Sequence, residues 1–72
     1  MPAYNLFRHR DKQHVICAVP EGHGVPNFIA EKTWEFVRKL AEPAAAPIEF
    51  NPRAATEGVR VNGFYLFQNF SG

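Results

Sequence analysis

Gly63-Phe-Tyr-Leu-Phe-Gln-Asn-Phe70 carries four of the chain's ten aromatic residues. Aromatic and branched side chains fit a pleated, half-buried surface, so the stretch reads as a strand. Its alternating sets are Phe64, Leu66, Gln68 and Phe70 on one face and Tyr65, Phe67 and Asn69 on the other. Both faces are apolar near its start, the pattern of a strand covered on two sides.

Immediately upstream, Asn62-Gly63 separates this strand from Val59-Arg60-Val61. Asn-Gly between two apolar alternations is a strong hairpin-turn signal. The competing reading is one long strand from Val59 to Phe70 with a bulge at Gly63. Before it, Asn51-Pro52 offers a capping side chain followed by proline at the first helical position. Gly58 stands where a left-handed residue would stop that helix, which confines it to about residues 52–57.

The N-terminal part reads as a hairpin. Residues 3 to 8 and residues 14 to 19 form two apolar runs, with Val15, Cys17 and Val19 on one face of the second. The polar segment His9-Arg10-Asp11-Lys12-Gln13 has hairpin-loop length, and Pro20 removes a ladder donor at the end. Pro20 to Pro26, with Gly on both sides of His23, is a loop by composition.

Residues 27–42 admit two readings. Asn27 is an acceptable helix cap, and Ile29, Thr33, Phe36, Val37 and Leu40 fall on one helical stripe, with Glu35 and Lys39 spaced i, i+4 and Pro43 as a stop. As a strand, Trp34-Glu-Phe-Val starts an alternation that Arg38-Lys39 breaks. The helix is the favoured reading. Glu42-Pro-Ala-Ala-Ala-Pro47 is a stiff connector, and Ile48 and Phe50 alternate so as to pin it to the core.

Seventy-two residues make one domain, 1–72. A chain this short buries only about 60% of the surface its unfolded form exposes, so a further source of stability is expected. A single cysteine, Cys17, excludes an internal disulfide, which leaves self-association as the expected remedy. At 46% hydrophobic and 21% charged residues the composition is globular, and a formal net charge of +1 supplies no global field for nucleic acid or membrane. The N-terminus lacks the long apolar core of a secretory signal, and no apolar run reaches the roughly 20 residues of a membrane span. A cytoplasmic protein is expected.

Chemistry-bearing residues are sparse. His9, His14, Cys17, Glu21 and His23 lie close in sequence but match no zinc spacing, so no metal and no cofactor is expected. Cys17 sits mid-strand between Ile16 and Ala18, where burial raises a thiol's pKa and opposes nucleophilic attack. No catalytic residue is assigned, and the chain is read as non-enzymatic. Gly22-His23-Gly24 lacks the Lys and flanking elements of a phosphate loop.

Arg8, Arg10 and Lys12 cluster at the hairpin tip beside His9. Together with Tyr4, Phe7 and the aromatic last strand they raise the alternative of single-stranded nucleic acid, with bases stacked on the sheet and phosphates held by the cations. Arg60 to Phe67 places Gly before alternating aromatics, as an RNA-recognition strand does, but has no Lys or Arg directly before the Gly and no paired βαβ halves.

The expected architecture is therefore α+β. A small antiparallel sheet, formed by the N-terminal hairpin and a C-terminal strand or hairpin, is packed by one helix at about 27–42 and a short one at about 52–57. The leading functional expectation is an interaction module acting through an aromatic surface, as a homodimer or with a protein partner. Tyr65, Phe67 and Phe70 are its anchor candidates.

Overall fold

The computed structural model of the chain describes residues 3–41 and 50–69. Among these residues the fold is α+β, one helix packing on a four-stranded antiparallel sheet. The strands are β1 (Tyr4–His9), β2 (Val15–Pro20), β3 (Trp34–Leu40) and β4 (Tyr65–Gln68), and the helix α1 (Pro52–Asn62) precedes β4. Spatial order is β3-β1-β2-β4. The N-terminal hairpin forms as its sequence indicates, with Leu6 opposite Ala18 and Phe7 opposite Cys17. His9 organises the hairpin tip, because its Nδ1 accepts from the backbone N–H groups of Asp11 (3.2 Å) and Lys12 (3.0 Å).

The helix expected at about 27–42 does not form. Residues 27–33 make a chain of turns, including Thr33 N–H and Trp34 N–H donating to the carbonyl of Ala30, and β3 follows. Pairing with β1 decides the outcome: Phe36 lies opposite Phe7, Glu35 opposite Arg8 and Trp34 opposite His9. The break in alternation at Arg38-Lys39 is absorbed by a bulge. Leu6 faces Arg38 and Phe7 faces Phe36, so Val37 is the extra residue and the faces exchange across it. Aromatic and branched residues at Trp34, Phe36 and Val37 then satisfy strand preference up to and within the bulge.

α1 starts as expected and ends later. Asn51 Oδ1 accepts from the N–H groups of Arg53 (3.0 Å) and Ala54 (3.1 Å), and Pro52 opens the helix. The helix runs through Gly58 and includes Val59-Arg60-Val61, because Val59 packs on the core and Arg60 pairs with Glu57 on the same surface. Gly58 is a packing position: a Cβ there would stand 3.0 Å from the Phe64 carbonyl oxygen. The left-handed residue is Gly63, with φ of 88°, whose N–H donates to the Val59 carbonyl at 2.9 Å. Asn62-Gly63 is thus neither a hairpin turn nor a strand bulge but the exit of a helix. The Glu42–Pro47 connector and Ile48 lie outside the described residues.

The helix-side core gathers Tyr4 and Leu6 from β1, Ile16 and Ala18 from β2, Leu40 from β3, Phe67 from β4, and Phe50 and Ala55. Phe50 is its centre, with ring centroids 5.5 Å from Tyr4, 5.5 Å from Tyr65 and 5.4 Å from Phe67.

Candidate functional site: the helix-free face of the sheet

Strand alternation sends Asn5, Phe7 and His9 of β1 and Val15, Cys17 and Val19 of β2 to the face that α1 does not cover. The register aligns one residue from every strand into a row: Phe36, Phe7, Cys17 and Leu66. Its middle is shielded, Cys17 being fully buried, while Phe36 and Leu66 at its ends are 57% and 47% exposed. A row that is apolar throughout and open at both ends is what a contact surface needs.

Residues 21–33 cross this face. Phe28 stands edge-on to both Trp34 (6.0 Å) and Phe64 (5.0 Å), and Ile29 packs with the buried cluster of Cys17, Val19 and Trp34. Between this segment and β3 an open cleft of about 300 Å³ is lined by apolar Phe7, Ile29, Trp34 and Phe36 and by charged Arg10, Glu31 and Glu35. Phe7 and Phe36 meet edge-to-face at 5.8 Å.

The cations of the hairpin tip are engaged within the chain. Arg8 donates to Glu35 Oε2 from Nε (3.0 Å) and Nη2 (2.7 Å); Arg10 Nη1 lies 3.5 Å from the other Glu35 oxygen, and its Nε donates to the Glu31 carbonyl at 2.6 Å. The Arg8 hydrogen bonds, aided by the charges of Arg8 and Arg10, hold the Glu35 carboxyl below the usual carboxylate range. Lys12 is exposed at the tip, and Lys39 pairs with Glu21.

Of the anchor candidates, Phe67 is buried in the helix-side core and Tyr65 is half-buried on the same face, stacked on Phe67 at 5.5 Å. Their parity on β4 turns both rings toward Phe50, so neither ring forms an open patch on the monomer. Phe70 lies outside the described residues. Sequence reading passed over Phe36 and Leu66. Phe36 was hidden by the helical stripe, and the exposure of Leu66 depends on which face the helix takes.

Burial pushes the Cys17 thiol up to about 12, far from a reactive thiolate. His9 is held at the hairpin tip against Trp34 (5.1 Å), and His23 lies exposed in the crossing segment. Among the described residues no three His, Cys, Asp or Glu side chains come together in a metal-binding group, and no helix is long and apolar enough to cross a membrane. Comparison with protein-family models, with curated proteins and with solved structures finds no match.

Proposed function

We propose that this chain is a small cytoplasmic, non-enzymatic interaction module that associates through its sheet, with a second copy of itself as the foremost partner. One observation carries the reading: the row Phe36–Phe7–Cys17–Leu66 spans all four strands on the face without a helix, and large apolar side chains are exposed at both its ends. Exposed Phe28 and Val25 in the crossing segment extend the apolar character of that side. Burial of such surface on association contributes about 25 cal/mol per Å², which suits a domain too small to be strongly stable alone. Light scattering over a concentration series tests it. A mass rising toward that of a dimer by high micromolar concentration supports the reading, and a constant monomer mass contradicts it.

A second reading, single-stranded nucleic-acid binding, is favoured by the Phe7–Phe36 pair, two aromatic rings in the wall of the open cleft. Opposing it, Glu35 occupies Arg8 and engages Arg10, two of the three cations that would hold phosphates. Fluorescence anisotropy of labelled single-stranded oligonucleotides at low salt separates the two readings. A flat titration removes the second, whereas binding that weakens with salt and with neutralisation of Arg8, Arg10 and Lys12 would restore it.

A further inference from the structure

The two outer strands of the sheet are built differently. β3 carries Arg38 and Lys39 and the bulge at Val37, devices that discourage another strand from adding to an edge. β4 has neither a charge nor a bulge, and only its length of four residues limits its edge. Tyr65–Gln68 contains no charge and no proline, its register with β2 is unbroken, and among the described residues no strand pairs with its outer side.

The hydrogen-bond phase of β4 follows from one contact. Asn69 N–H donates to the His14 carbonyl at 2.7 Å. Antiparallel ladders alternate, so Asn69, Phe67 and Tyr65 turn their backbone groups toward β2, and Leu66 and Gln68 turn theirs outward. Leu66 therefore presents at the edge an N–H and a C=O that no strand among the described residues pairs, and an exposed side chain on the helix-free face.

We propose that a second copy of the chain adds to this edge, β4 pairing antiparallel with β4 about a two-fold axis at Leu66. This rests on the association reading above and names its geometry. A two-fold axis normal to the sheet sets Leu66 against Leu66 of the partner subunit as a doubly hydrogen-bonded pair. It also sets Tyr65 opposite the partner's Phe67 on the helix side. Slipping the register by one residue would place Leu66 against a side chain of the opposite face. Slipping it by two sets Leu66 against Gln68 in one direction and forfeits the apolar contact; in the other it sets Leu66 against Phe64, which lies outside β4 and is already engaged edge-on by Phe28. The register at Leu66 joins the two apolar rows into one that runs through eight strands. The segment is uncharged and the whole chain carries only +1, so like-charge repulsion does not oppose a second copy.

Cross-linking tests the geometry. Leu66→Cys places two thiols at the axis, whereas Phe36→Cys, similarly exposed but on the far strand, reports contact through the sheet face or chance collision. Under mild oxidation, covalent dimer is expected from Leu66→Cys at least tenfold faster than from Phe36→Cys, and none from the wild type, whose Cys17 is buried. Leu66→Lys, checked by circular dichroism to be folded, is expected to weaken association tenfold or more. If the wild type dimerises by light scattering while Leu66→Cys cross-links no faster than Phe36→Cys, edge pairing is wrong and the association reading stands. A wild type that stays monomeric overturns both.

Discussion

Phe28, in a segment without regular structure, stands edge-on to Phe64 at 5.0 Å and so ties residues 21–33 to the entry of β4. Beneath this segment Cys17 and Val19 are fully buried. The segment is held by the apolar contacts of Phe28 and Ile29, by Glu21 paired with Lys39, and by Arg10 donating to the Glu31 carbonyl. Thiol labelling of Cys17 should accordingly be slow in the native protein and fast in denaturant. Phe28→Ala should accelerate native labelling by roughly tenfold for each 1.4 kcal/mol by which it eases opening. An unchanged rate would place the protection in the sheet alone.

Phe50 makes the helix-side core one body, since its ring touches residues of β1 and β4 at once. Phe50→Ala removes a buried aromatic and is expected to cost about 3–5 kcal/mol. In a domain of this size that is most of the folding free energy, so the far-UV signal of the variant should already be largely unfolded without urea. A variant with a native spectrum and a urea midpoint near that of the wild type would contradict the placement of Phe50.

Gly63 adopts a backbone that L side chains rarely take, φ of 88° with open space around its Cβ position. Gly63→Ala should therefore lower stability by about 1–2 kcal/mol through conformation alone, and Gly63→Asn by less. Equal loss in both, measured by urea unfolding, would point to a steric cause instead.

Glu35 gives the fold an acid dependence of known sign. Its carboxyl is held below the usual range, chiefly by the Arg8 hydrogen bonds. Its contribution is therefore complete above the unfolded carboxylate pKa of about 4.3 and is lost as pH falls through the lower folded value. Glu35→Gln should flatten that part of the stability profile below about pH 4.3 and leave the neutral region nearly level. If the two profiles stay parallel in acid, the pair with Arg8 does not persist in solution. The same variant removes the negative charge that engages Arg8 and Arg10, so oligonucleotide binding that appears only in it would show Glu35 acting as an intramolecular competitor for phosphate.

The hairpin of β1 and β2, the cap at Asn51-Pro52 and the apolar run of β4 were legible because each rests on local chemistry. Two features were not. Residues 34–40 carry a stripe that fits a helix, and only the open side of β1 and a bulge at Val37 make a strand the better outcome; both are tertiary facts. Asn62-Gly63 fits a hairpin turn and a helix exit equally well, and the choice depends on whether Gly58 ends the helix or packs within it. The candidate site inherited these errors. With residues 27–42 taken as a helix, Phe36 belonged to a core, and with α1 stopped at Gly58 nothing fixed which face of β4 would be covered.

Association through β4 makes a residue-specific claim about hydrogen exchange. In the monomer the Leu66 and Gln68 amides point away from β2 while those of Tyr65 and Phe67 are bonded to it. Edge pairing predicts that Leu66, and Gln68 beside it, exchange quickly in dilute solution and become protected as concentration rises through the dimerisation range, with Tyr65 and Phe67 slow throughout. A Leu66 amide that exchanges equally fast at every concentration, in a protein whose mass remains 8.2 kDa, would contradict it.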